Sequence, residues 1–270
     1  MRTRRAHISA LLAGSWFVMT SVAYAAEPSP LARARMLYNA SDYDGAIAVA
    51  EMARTLPTMA DAAAVVEARA RLERYRHNPD PMDLADARAA LNAVHAAVLS
   101  PRDQVDLMVG LGLALYMSDM FGPAAEVFDT ALERSMMLPD RDRLMLLDWW
   151  ATAIDREAQG AMPDRRARLA GQIGTRMAEE LRRDPGNAPA NYWLAVAARA
   201  AGDADMAWDA AVAAWVRAPL SGASAQLRAD IDRLVVDAII PERARSRVQR
   251  EPDAAVAMRA QWEMIKTDWK

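Results

Sequence analysis

The chain has 270 residues, 53% of them hydrophobic but only 6% aromatic, with 33 basic residues against 36 acidic and no cysteine. Without cysteine there is no disulfide framework, thiolate metal site, cysteine nucleophile or lipid-modified cysteine. The acidic balance speaks against general binding of nucleic acid or anionic membrane. Much of the apolar content is alanine, the best helix former, so an all-α chain is expected.

At the N-terminus, Arg2, Arg4 and Arg5 precede an uncharged apolar run from Ile8 to Ala23, and Ala23-Tyr24-Ala25 is a small-x-small cleavage site. Residues 1–25 therefore read as an export signal cut before Ala26. The run is short of the roughly 20 residues that a membrane span needs, and no later run approaches that length. Cleavage leaves 30 basic against 36 acidic residues, a balance of −6. The expected location is the periplasm or the exterior.

The first helix pair, "RARMLYNASDYDGAIAVAEMA", carries Ala34 and Leu37, then Tyr43, Ala46, Ala50 and Ala53, and ends before Pro57. A second pair is expected over Met59–Arg76, with a stripe at Val65, Ala68, Leu72 and Tyr75, and over Leu84–Leu99, with Ala87, Leu91 and Val94. The loop "HNPDPMD" separates them. The third has Leu111-Gly112 in its first helix, a turn at Ser118-Asp119, and Phe121, Ala124, Phe128 and Ala131 in its second. The fourth spans Arg141–Ala158, where Trp150 is expected to pack with Leu146, Leu147 and Ile154, and Arg165–Arg183. In the latter, small residues at Ala167, Gly171, Gly174 and Ala178 run beside Leu169, Ile173, Met177 and Leu181. Each mid-helix glycine costs about 1 kcal/mol against alanine, and close contact between helices is the expected reason for tolerating both.

The fifth pair lies within "DPGNAPANYWLAVAARAAGDADMAWDAAVAAWVRAP", broken at Gly202-Asp203, with Ala195, Ala207, Ala211 and Ala214 between Leu194, Trp208 and Trp215. An amphipathic helix from Ser224 to Ile240 is expected to stop at Pro241 and to cap the apolar end of the preceding pairs. Residues 241–270 then read as a polar connector and a last helix, Ala254–Thr267. That helix has Ala255, Met258, Trp262 and Ile265 in line, and either packs back or stands free.

In three pairs a small residue in mid first helix precedes a polar turn, and two alanines stand seven residues apart in the second: Ala46/Ala53, Ala124/Ala131 and Ala207/Ala214. These units resemble the tetratricopeptide repeat. The resemblance implies an α-solenoid of helix–turn–helix repeats over residues 26–240, about five pairs and a capping helix. The concave face of such an array typically binds a peptide segment or a partner protein. In that register Val109, Leu113, Tyr116 and Met117, with Tyr192, Val196 and Arg199, are the expected partner-binding residues. Some family members clamp a C-terminal carboxylate with Lys and Asn. No lysine occurs here before Lys266, so an extended or helical apolar segment is the expected ligand.

Chemistry is not visible. No H-E-x-x-H, G-x-S-x-G, P-loop or G-x-G-x-x-G occurs. His77, Asp80 and Asp83 sit unevenly in a proline-interrupted loop and read as a solvated connector, and His95 as a surface or half-buried residue of an alanine-rich helix with no carboxylate nearby. Acidic residues alternate with arginine, as in "DRDR" and "EELRR", the pattern of solvated helix faces. Met108, Met117, Met120, Met136 and Met137 read as core before groove. The expected protein is a non-enzymatic adaptor or scaffold of the cell envelope, with no cofactor or metal. The alternative is a periplasmic binder of an apolar small molecule or lipid.

Overall fold

The structure, a computed structural model, describes residues 27–219, 225–247 and 253–269. The expected export signal lies outside the described residues. These residues are all α, in the order α1 (Pro30–Asn39), α2 (Tyr43–Arg54), α3 (Ala60–His77), α4 (Pro81–Asn92), α5 (Pro101–Tyr116), α6 (Phe121–Glu133) and α7 (Asp140–Gln159), then α8 (Pro163–Arg183), α9 (Ala188–Ala200), α10 (Ala204–Arg217), α11 (Ala225–Leu234), α12 (Ile240–Arg247) and α13 (Ala254–Asp268). Each helix packs chiefly on its neighbours in the chain. Proline occupies the first turn of α1, α4, α5, α8 and α9, where its missing N–H has no intrahelical partner to lose. Ser29, Asp42, Asp80, Ser100, Asn187 and Asp203 cap with side-chain oxygens. No described helix is long and apolar enough to cross a membrane.

The α1–α2, α5–α6 and α9–α10 hairpins share one turn. Ser41, Asp119 and Gly202 are the described residues at positive φ, with values of 62°, 57° and 82°. The N–H of the next residue reaches back five positions in each: Asp42 to Leu37 O at 3.0 Å, Met120 to Leu115 O at 3.0 Å, Asp203 to Ala198 O at 2.9 Å. The left-handed residue itself bonds three back, to Tyr38, Tyr116 and Arg199. This is the Schellman ending of a helix. Measured from it, the small residues fall in register: Ala34, Gly112 and Ala195 seven positions before, and the three alanine pairs five and twelve after. All six paired alanines are fully buried. A Cβ on Gly112 would lie 2.4 Å from Cε1 of the buried Phe128, so α5 and α6 meet only because glycine stands there.

One core runs from α3 to α9 and includes Trp150 with Leu146, Leu147 and Ile154; a second joins α9 and α10 to α11–α13. Charged groups inside are paired: Asp83 with Arg74, and Glu180 with Arg143 at 2.6 Å. The expected solvated connector is thus partly structural: Asp83 is buried, Asp80 caps α4, and His77 Nδ1 lies 2.7 Å from the Glu73 carbonyl.

Several expectations are corrected. The second helix of the second pair ends at Asn92, not Leu99. His95 is therefore outside it, and a carboxylate is near: Asp61 accepts its backbone N–H at 2.7 Å and lies 3.3 Å from Nδ1. Pro241 does not stop the chain's helix. Val235–Ile239 form a π-helical turn and α12 continues through the proline. A proline lacks an N–H and its ring collides with the carbonyl four residues back, and the wider turn relieves both. The expected connector is thus helical up to Arg247; residues 248–252 lie outside the described ones. Gly171 does not serve close contact, since a Cβ there meets nothing within 4 Å, while at Gly174 it meets only Ala197 Cβ at 3.6 Å. Met120 and Met136 are exposed rather than core, the latter at 90%. The last helix packs back: Trp262 is fully buried against Trp208 and Trp215, at centroid distances of 6.0 and 5.4 Å.

Candidate functional site: a groove across three helices

The C-terminal end of α3, the C-terminal end of α5 and the middle of α7 leave an open groove of about 460 Å³ between them. Tyr75, Arg76 and Pro79 form one wall, Tyr116 and Met117 another, and Asp148, Trp149 and Thr152 the third. The left-handed turn at Asp119 ends α5 here, which leaves Tyr116 and Met117 half-buried at its last turn. On α7, adjacent residues point about 100° apart. Trp150 therefore enters the core while Trp149 stays half-buried at the groove.

The aromatic side chains brace one another. Tyr116 meets Trp149 and Phe121 edge to face, each at 5.2 Å, and Trp149 leans on Phe128 at 6.4 Å. The Arg76 guanidinium lies 5.8 Å from the Trp149 ring centre and is held from behind by Glu73 at 2.7 Å. Asp148 accepts a hydrogen bond from Trp193 Nε1 of α9 at 2.8 Å. Water reaches it along the open side, yet protein surrounds the others. That burial raises its pKa, against the lowering effect of the Trp193 bond, and the Asp230 charge adds to the rise. Burial likewise pushes Tyr192 up to about 12, with Asp230 and Asp148 contributing, so its hydroxyl stays protonated. The groove thus offers a ring edge, a thioether, one cation and one carboxylate: contacts for an apolar stretch flanked by polar groups.

Of the expected partner-binding residues, Tyr116 and Met117 line this groove. Val109 and Leu113 do not: they face inward on α5 and belong to the core, where helix packing needs them. Tyr192 and Val196 are half-buried and pack on that core from α9. Arg199 is exposed but forked onto Glu242 of α12, with N···O distances of 2.8–3.0 Å, and so ties two helices together. Sequence reasoning missed Tyr75, Arg76, Asp148 and Thr152 as lining. The doublet Trp149-Trp150 was the available signal, since one of two adjacent helical tryptophans must leave the core.

Among the described residues no group of three or more His, Asp or Glu is placed to hold a metal ion. No protein-family model, curated protein or solved structure matches the chain.

Proposed function

We propose that the chain is a non-enzymatic adaptor of the cell envelope, built from tetratricopeptide-like hairpins, that takes a segment of a partner protein across Tyr116, Met117 and Trp149. The observation that carries this is the groove's open, braced aromatic edge. Half-buried tyrosine and tryptophan held by neighbouring rings give contact area at little entropic cost. The repeated Schellman turn and its buried alanines support the repeat reading, and the apolar run at residues 8–23 supports export. A binder of an apolar small molecule or lipid calls for an enclosed apolar cavity. This groove is open and carries Arg76 and Asp148, which favours the adaptor.

Crosslinking and capture from the native envelope is the test. Tyr116→Asp combined with Trp149→Ala is expected to lose a partner that the unaltered chain and a Glu263→Ala control both retain. Identical captures from all three would end the groove assignment.

A further inference from the structure

The two charged residues that line the groove at Trp149 are not equally matched. Arg76 already has a carboxylate: its Nε and a terminal nitrogen both donate to Glu73 Oε2, at 3.0 and 2.7 Å. Asp148 has no cation. Its Oδ1 accepts from Trp193 Nε1 at 2.8 Å, and among the described residues no hydrogen bond or ion pair reaches Oδ2. Carboxylates at other helix contacts are matched: Asp103 by Arg35, Asp106 by Arg69, Asp83 by Arg74 and Glu180 by Arg143. The charge that acts on Asp148 from α11 is a further carboxylate, Asp230. Arg233, the cation on that side, is turned to Asp230 at 3.4 Å. Protein encloses Asp148 on its inner sides, where an unmatched charge is costly and a cation from outside offsets the cost. Its outer side is exposed, so an incoming group can reach it. Beside it stand the rings of Tyr75, Tyr116 and Trp149. Such rings attract cations to their faces and give apolar side chains contact area.

We propose that the partner segment carries a lysine or arginine next to an apolar residue, with the cation paired to Asp148 Oδ2 and the apolar side chain laid across Tyr116 and Trp149. This rests on the adaptor reading above and adds the chemistry of the segment. An acidic segment finds Arg76 already neutralised and meets the Asp148 charge unscreened by any arginine, so it is repelled.

Panning a random-peptide phage library over the purified full chain tests the proposal, with Asp148→Asn and the Tyr116→Asp, Trp149→Ala double variant as parallel baits. Asp148→Asn keeps the acceptor for Trp193 and removes the charge; circular dichroism checks that each bait is folded. Peptides that bind the unaltered chain and not the double variant are expected to be enriched in lysine or arginine beside an apolar residue, relative to the unselected library. Synthetic copies are expected to bind Asp148→Asn about tenfold more weakly, the loss of one charge-assisted hydrogen bond, and the gap should narrow as salt rises. Replacing the peptide's own basic residue by glutamine should cost as much against the unaltered chain and nothing further against Asp148→Asn, since the two changes remove one contact. If groove-dependent peptides show no such residue, or bind Asp148→Asn as tightly, this inference falls and the adaptor reading stands. If no peptide depends on Tyr116 and Trp149, both fall.

Discussion

Gly112 and Gly171 are both mid-helix glycines with opposite expectations. At Gly112 an added methyl runs into the Phe128 ring at 2.4–2.9 Å, inside a core with nowhere to yield. Gly112→Ala is expected to destabilise by roughly 1–3 kcal/mol through overpacking, read as a lower midpoint in urea. At Gly171 the methyl meets open space, so Gly171→Ala is expected to stabilise by about 0.5–1 kcal/mol through the unfolded chain's lost freedom. A fall in midpoint there would show that α8 is packed differently. Two carboxylates likewise pull in opposite directions. The hydrogen bond from Arg74 lowers the pKa of Asp83 below its ordinary 3.8, so the stability that Asp83 contributes is present above that value and is lost as pH falls through the lowered one. Burial raises Asp148 above 3.8. There the folded chain holds the extra proton, and stability falls as pH rises from the ordinary value through the raised one. Asp148→Asn keeps an acceptor for Trp193 and removes the charge. Its melting temperature is expected to exceed that of the unaltered chain at about pH 7 and to match it near pH 3; an equal midpoint at both would refute the account.

At the scale of helices, the return of α13 onto the second core centres on one large side chain. Trp262 sits between two tryptophans and donates to Asp232 Oδ1 at 2.7 Å, where Lys266 also binds at 2.9 Å. Trp262→Ala is expected to cost about 3–5 kcal/mol. Because the α9–α13 core is distinct from the α3–α9 core, calorimetry should show the C-terminal helices melting first, as a separate transition. A single uniform transition at the same temperature would contradict that division. The sequence made the hairpins legible, because Ala46/Ala53, Ala124/Ala131 and Ala207/Ala214 repeat at a helical interval that only burial explains. It was less informative where a tertiary contact decides. Just beyond the end of α4, His95 is held by Asp61, thirty-four residues away. The helix through Pro241 depends on a π-helical turn that no propensity reveals. Two of the seven expected partner-binding residues were misplaced for a similar reason: Val109 and Leu113 share the apolar character of a groove, and only the position of neighbouring helices assigns them to the interior.

Across the described residues, successive helices lean on their sequence neighbours, and the proposed binding groove lies where that contact slackens. The groove at Trp149 opens between α5 and α7, which touch little compared with α5 and α6. Because the proposed groove is already open, a partner segment is expected to raise the melting temperature without changing helix content.

The returning α13 has one more consequence. It packs on α12 and reaches α10 through Trp262, so Met258 and Trp262 are buried at the end of the second core. In the tetratricopeptide-like row proposed above, the tail would act as a terminator, covering the apolar end and denying a second molecule the same berth. A chain ending before Asp253 is expected to chain up end to end as its concentration rises, which sedimentation velocity would register as a growing ladder of species.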